Sequence, residues 1–287
     1  MKRGKYILLI VLIFVVLIVA TFIAFIYMEV GPRPVSVAAR SYLDLPLGGE
    51  IAEWSQPDLF TTLFAGKTPL SMYDIWTNLR KAKVDGRVQG VLLRLSPLVC
   101  GWAKAEEIRL AILDFRQSGK KAIAFIDEAP DFNKEYYLAT ACDRIVLHPL
   151  GWLGIPGIGG DIPFFKGGLD KLGIEAQFVH IGKYKTAYNQ FTEKGFTPAH
   201  KEMEESLLSD LFDRFVKGVA QARHKSEPEV KALIDKAFFQ GEQAKAAGLV
   251  DDVLYEDQLP ALFKGDGPAP AKVDFDDYLR VLSLIHI

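Results

Sequence analysis

The chain has 287 residues, with 34 Lys and Arg against 36 Asp and Glu for a formal charge of -2, a balance that leaves no basic footprint for a nucleic acid. Its two cysteines, Cys100 and Cys142, are too few for a disulfide framework; they form one bridge in an oxidising compartment or stay as buried thiols. None of the five histidines, His148, His180, His200, His224 and His286, stands at a metal spacing from a second ligand, so neither a metal nor a cofactor is expected.

Residues 6–28 carry no charged side chain, and their length at about 1.5 Å per residue reaches about 35 Å, enough for a hydrocarbon core of about 30 Å. A transmembrane signal anchor is expected there, because the run is too long for a cleaved signal peptide and ends without a small-x-small site. Lys2, Arg3 and Lys5 then hold residues 1–5 in the cytoplasm and leave the bulk of the chain extracytoplasmic. Pro32 and Pro34 make a stiff exit.

From 35 to 264 the apolar pattern keeps switching between strand and helix periods. Strands are expected at 35–43, 90–95, 121–126, 144–147 and 175–181, and helices at 71–83, 106–116, 136–141 and 163–172. Thr197 followed by Pro198 gives a hydroxyl N-cap and a proline at the first helical position, so a helix should run to about Arg223. Its stripe of Met203, Leu207, Leu208, Leu211, Phe212, Phe215, Val216 and Val219 reads as the face that covers a core. Helices from Glu227 and Gly241 and a strand-like 249–254 follow. Alternating strands and helices imply right-handed βαβ units around a mainly parallel sheet. Beyond this α/β domain, 265–270 is rich in Gly and Pro, and 278–287 begins an apolar element without a partner; 265–287 therefore reads as a linker and the truncated start of a second repeat.

Gly182-Lys183-Tyr184-Lys185-Thr186-Ala187 closes the expected strand at 175–181. A free lysine amine, with a pKa of about 10.4, is protonated at neutral pH and cannot act as a base. Burial behind 178–181 and the like charge of Lys183 would both disfavour the ammonium of Lys185. A solvated loop lysine is the commoner alternative. No serine lies between Ser118 and Ser206 to be activated nearby. Ser96 at the end of an expected strand, before Pro97, is more simply a turn residue, and Cys142 a packing residue. The glycines of 151–160 lack the lysine of a P-loop and the spacing of a dinucleotide fingerprint.

Several segments together resemble the signal peptide peptidase (protease IV) family, specifically the N-terminal half of its long two-repeat membrane-anchored form. They are Tyr136-Tyr137-Leu138-Ala139 with Cys142-Asp143-Arg144-Ile145, the Gly182 to Ala187 segment with Phe191, Thr197-Pro198, and Gly241-Glu242-Gln243-Ala244 with Gly248-Leu249-Val250-Asp251. The resemblance implies a Clp protease/crotonase-like fold and peptide hydrolysis by a Ser-Lys dyad, with Lys185 at the lysine position. Short members carry the serine in a Ser-Gly-Gly segment before the paired tyrosines, where this chain reads Asn133-Lys134-Glu135. Their glycine loop for the oxyanion is replaced by Ser96-Pro97-Leu98-Val99-Cys100-Gly101, and Pro97 has no N–H to offer. The resemblance therefore implies a lysine half that works with a serine-bearing C-terminal half, on extended signal peptides, as a homo-oligomer in a bacterial inner membrane. It also puts the 151–160 segment near the substrate groove, where backbone could take an extended peptide by strand addition; a bend required by close packing is the alternative. A non-catalytic, membrane-anchored scaffold of the same fold is the alternative.

Overall fold

The computed structural model describes residues 12–22, 25, 36–54, 70–127, 131–264 and 267–281. It divides into two units, Met1–Ser36 and Val37–Ile287. In the first, 12–22 is helical; the rest of the expected 6–28 span, save residue 25, lies outside the described residues. Among the described residues, no helix is long and apolar enough to cross a membrane.

The second unit is built on a six-stranded sheet. Its strands are β1 (Ser41–Glu50), β2 (Val88–Val99), β3 (Lys121–Ile126), β4 (Arg144–Leu147), β7 (Asp252–Val253) and β8 (Ala271–Asp274). Their order is β7-β4-β3-β2-β1-β8, with every pair parallel, as the alternation of strands and helices implied. The central strands read as near-continuous apolar runs because both faces are covered. On one face lie α1 (Met72–Val84), α2 (Trp102–Arg116) and α3 (Asn133–Ala139), which bury Ile75, Leu79, Ile108, Ile112, Phe115 and Leu138 against the strands. A 3₁₀ helix, Glu256–Phe263, seals a smaller cluster of Tyr42, Leu92, Ile123, Phe125 and Val146. Two short strands, β5 (Trp152–Gly154) and β6 (Phe238–Gln240), pair antiparallel beside the main sheet.

Helix starts follow local chemistry. Ser71 caps α1 by accepting from the Asp74 N–H at 3.2 Å. Thr197 caps the long α6 (Pro198–Arg223), which ends at His224 with φ 52°, a left-handed C-terminal stop. Ser226 and Glu229 form a capping box for α7 (Glu227–Lys236). The remaining helices, α4 (Lys166–Lys171), α5 (Asn189–Thr192) and α8 (Gly241–Ala246), are single short turns of chain.

Three expectations fail for one reason. Residues 175–181 form no strand; Val179 and Ile181 are 103% and 90% exposed, because no described strand pairs with that stretch to complete a hydrogen-bond ladder. The helix expected at 163–172 shrinks to α4, which buries none of its residues. The α6 stripe is buried only in its second half, at Phe215, Val216 and Val219, while Leu207 is exposed.

The C-terminal segment is also different from its reading as linker and truncated repeat. Strand β8 joins the sheet beside β1, where buried Asp44 takes Lys272 at 3.3 Å and Arg94 at 2.6 Å. Helix α9 (Phe275–Arg280) then packs on α1: Asn78 Nδ2 donates to Phe275 O at 3.0 Å, and Lys81 Nζ to Tyr278 O at 2.6 Å. Phe275 and Tyr278 supply apolar area that this unit buries, which draws the segment into it; residues 282–287 lie outside the described residues.

Candidate active site

The carboxyl ends of parallel strands are where α/β sheets bind ligands, because the chain leaves the sheet there and opens a crevice. In this protein the end of β2 and the start of α3 frame such a cleft, lined by Leu98, Trp102, Asp131, Asn133, Glu135 and Gly157, among others. A wider groove between α1 and α2, lined by Met72, Trp76, Leu79 and Leu110 among others, has no serine or cysteine among the described residues that line it.

Asn133, where a serine would be expected by resemblance, is buried and used structurally. Its Nδ2 donates to Asp131 Oδ1 at 3.0 Å and to Gly157 O at 2.9 Å, while its Oδ1 accepts from Gly157 N at 3.2 Å. The amide thus clamps both polar groups of one glycine. Gly157 has φ 90°, a conformation an L side chain rarely adopts, so the clamp and the glycine specify the same bend. The β5–β6 pair feeds this bend: Phe132 N donates to Gly154 O at 2.9 Å and Ile155 N to Ala237 O at 2.8 Å.

The neighbouring backbone is equally committed. Pro97 sits where β2 shifts register against β1, between the Leu47 and Gly49 pairs. The next N–H, on Leu98, donates to Glu135 Oε1 at 2.5 Å. Lys134 Nζ donates to Leu98 O at 3.1 Å and Cys100 O at 2.8 Å. An oxyanion needs free N–H groups aimed at the developing charge; here a carboxylate of the same chain already occupies one and proline removes the other. Burial pushes the Glu135 carboxyl up from its ordinary range, against the Leu98 hydrogen bond. Neither cysteine supplies a substitute nucleophile. Both are free thiols, and burial raises their pKa, most strongly for Cys142.

Lys185 lies elsewhere, on the loop before α5. It is exposed, so the burial expected to tune its amine is not present in this chain. Lys183, expected to depress its charge, has its own partners: Glu202 Oε2 at 3.5 Å and the Tyr184 ring at 4.6 Å. The Tyr184 interaction and then Glu202 raise the Lys183 pKa. Around Lys185 the loop is tied down by the start of α6. Tyr184 OH donates to Glu202 at 2.9 Å, Asn189 Nδ2 to Thr197 Oγ1 at 3.2 Å, and Thr186 Oγ1 contacts Met203 Sδ at 3.8 Å. Thr186 and Asn189 are buried. Among the described residues the Lys185 amine has no hydrogen bond or ion pair. The backbone is held on both sides and the amine is left available.

Sequence reasoning did not single out His200. It is 2% exposed, caged by Phe164 and Phe196 at ring distances of 6.0 and 4.9 Å, and its Nδ1 has no partner. The paired tyrosines and the Asp143 and Asp251 segments, by contrast, prove to be scaffold. Tyr136 OH donates to Leu249 O at 2.7 Å, Asp143 accepts from Ala122 N at 2.8 Å, and Asp251 accepts from Ile145 N at 2.7 Å and pairs with Arg223 at 2.9 Å. Burial pushes the Asp251 carboxyl up most, but the Arg223 hydrogen bond, the Ile145 N–H and the charges of Arg223 and Arg144 together hold it below its ordinary value.

The family model of peptidase family S49 matches residues 114–265. The chloroplastic serine protease SPPA of Arabidopsis thaliana is 36% identical over 228 residues, covering 79% of this chain and 32% of that protein. Protease 4 of Haemophilus influenzae is 26% identical over 275 residues, covering 88% and 44% respectively. The chain thus spans less than half the length of these relatives. Superposition on a membrane-bound stomatin-specific protease covers 83% of this chain and 98% of that one, with a TM-score of 0.43 and 11% identity, a likeness too loose to carry an argument.

Proposed function

Since the chain belongs to peptidase family S49, the signal peptide peptidase family, we propose that it is the lysine-bearing half of a membrane-anchored serine endopeptidase acting on released signal peptides. The observation that carries this reading is the pairing of an available Lys185 amine on a pinned loop with a cleft in which Asn133, Pro97 and Glu135 have displaced nucleophile and oxyanion donors. The serine and its oxyanion site belong, on this reading, to a second S49 half. That half would cover the exposed Phe178, Val179, Ile181, Phe196 and Leu207, apolar side chains whose removal from water is favourable. Covering them would take the Lys185 amine, exposed in this chain, out of water, the desolvation that a lysine base requires.

In the proposed chemistry, the serine Oγ attacks the peptide carbonyl carbon while its proton passes to Lys185 Nζ. Collapse of the tetrahedral intermediate breaks the C–N bond, and the proton goes on to the leaving amine. Water, deprotonated by the same lysine, then attacks the acyl carbon, the ester C–O bond breaks, and the proton passes from the lysine to the departing serine Oγ. The segment at 151–160 is the proposed place of strand addition for an extended peptide. We also propose the Clp protease/crotonase-like assignment, the anchor over 6–28, an extracytoplasmic setting in a bacterial inner membrane, and assembly into homo-oligomers. The scaffold reading is favoured by one observation, the exposure of Lys185.

Hydrolysis of a fluorogenic signal-peptide-like substrate separates the two. The full chain alone should be inactive, and the chain fused to a serine-bearing S49 half should be active. In that fusion Lys185→Ala should lower kcat by about 10²–10⁴-fold, the usual worth of a general base. An undiminished Lys185→Ala fusion would make this half a scaffold.

A further inference from the structure

The loop that carries Lys185 is tied to one short stretch of chain. Tyr184 OH donates to Glu202 at 2.9 Å, Thr186 Oγ1 contacts Met203 Sδ at 3.8 Å, and Asn189 Nδ2 donates to Thr197 Oγ1 at 3.2 Å. All three ties land between Thr197 and Met203, the N-cap and opening turns of α6. Such ties are only as firm as the turns that receive them, and these turns have little to hold them in place. From Pro198 to Arg214, His200 is the one buried residue; the next are Phe215 and Val216, about four turns further along at 3.6 residues per turn.

The seat of His200 is aromatic. Phe164, Phe196 and His200 pack edge to face as a triangle, with ring centroids 5.3 Å apart for the two phenylalanines, 6.0 Å for Phe164 and His200, and 4.9 Å for Phe196 and His200. Residues three or four apart share a helix face, so Met203 and Glu204 lie on the face that His200 buries, with Thr197 one turn before it. The loop residues bound to Thr197 and Met203, which are Asn189 and Thr186, are buried too. Phe165, next to Phe164, donates its N–H to Gln190 O at 2.6 Å and stacks on Phe191 at 5.7 Å. His200 therefore stands where the start of α6 meets the 164–165 segment, which is itself fastened to α5 just beyond the lysine.

What the imidazole gives this junction is volume and ring contact. Its Nδ1 has no partner, and its Nε2 lies 3.6 Å from Glu204 Oε1, too long for a hydrogen bond. A buried nitrogen without a bond costs stability, so polarity is not what holds the turn. We propose that His200 is a positioning residue for Lys185: seated in the Phe164 and Phe196 cage, it fixes the opening turns of α6 and through them the backbone on both sides of the lysine. The catalytic side of this proposal rests on the reading of Lys185 as the base. A base must sit within hydrogen-bond reach of the proton it takes, and a misplacement of about 1 Å costs about 100-fold.

The test has two arms. In the full chain in a neutral detergent, cleavage after Lys183 and Lys185 by a lysine-specific endopeptidase, read by mass spectrometry, reports how firmly the loop is held. His200→Ala should speed this cleavage about 10-fold or more, because local opening exposes the loop. Val219→Ala, which opens a cavity in the second half of the same helix, should leave it unchanged, and His200→Leu, close to histidine in volume, should restore the parent rate. In the fusion to a serine-bearing S49 half, His200→Ala should lower kcat about 10-fold or more with KM within about 2-fold, the pattern of a misplaced catalytic group, and His200→Leu should recover kcat. Equal cleavage of the His200→Ala and Val219→Ala chains overturns the proposal, as does a His200→Ala fusion with parent kcat beside a Lys185→Ala fusion that has lost it. Activity undiminished by Lys185→Ala would instead sink the catalytic reading, and the cleavage arm would still decide whether His200 holds the loop.

Discussion

Replacing Asn133 tests whether the position expected to hold a nucleophile has become a structural clamp. Asn133→Ala removes the 3.0 Å bond to Asp131 and the 2.9 and 3.2 Å bonds to the two polar groups of Gly157. Each net hydrogen bond is worth about 1 kcal/mol, and a glycine left unpaired in a partly buried cleft adds desolvation cost, so the loss should be about 2–4 kcal/mol. At about 2–4 °C per kcal/mol for a domain of this size, Tm should fall by about 4–16 °C. Urea unfolding followed by tryptophan fluorescence should show a lower midpoint with an unchanged slope. Asn133→Asp sharpens the test. The new carboxylate still accepts from Gly157 N but faces Asp131 and Gly157 O without a proton to donate. Like charge raises its folded pKa above the unfolded value of about 3.9, so its deficit should grow as pH rises through that window and fade as pH falls below it. A stability change under about 0.5 kcal/mol for Asn133→Ala would refute the clamp.

Tyr136→Phe deletes the 2.7 Å bond to the Leu249 carbonyl in a fully buried setting; a loss of about 1–3 kcal/mol is expected by denaturant titration, since that oxygen has no water to turn to. Asp85 is held down to about 2 by the Arg87 hydrogen bond, against burial and with help from Tyr278. Its folded pKa is depressed, so its contribution is full above the unfolded value near 4 and is lost as pH falls through about 2. Asp85→Asn should therefore be less stable than the parent at pH 7, and the two should converge between pH 4 and 2; a difference independent of pH would count against the ion pair.

What the residues revealed depended on whether their partners lie in the same chain. The runs at 90–95, 121–126 and 144–147 became strands because each finds a parallel neighbour, and the helices expected from Thr197-Pro198, Glu227 and Gly241 began there because the capping that starts them is local. The 175–181 run has the composition of a strand and no edge to pair with, so composition alone misled. Asn133 and Pro97 could be read as losses from the sequence. That Glu135 would take the Leu98 N–H could not, since the two meet only through the packing of α3 on β2.

The parallel pairing of Ser41 with Ala271 sets a timetable for synthesis. Strand β1 leaves the ribosome early, but its second neighbour follows about 230 residues later, roughly 10–45 s at 5–20 residues per second. Throughout that interval β1 offers the buried Leu43, Leu45 and Leu47 along an open ladder, the kind of edge that recruits other chains. Slow or interrupted translation before Ala271 should therefore yield aggregated product even when every other strand has found its place.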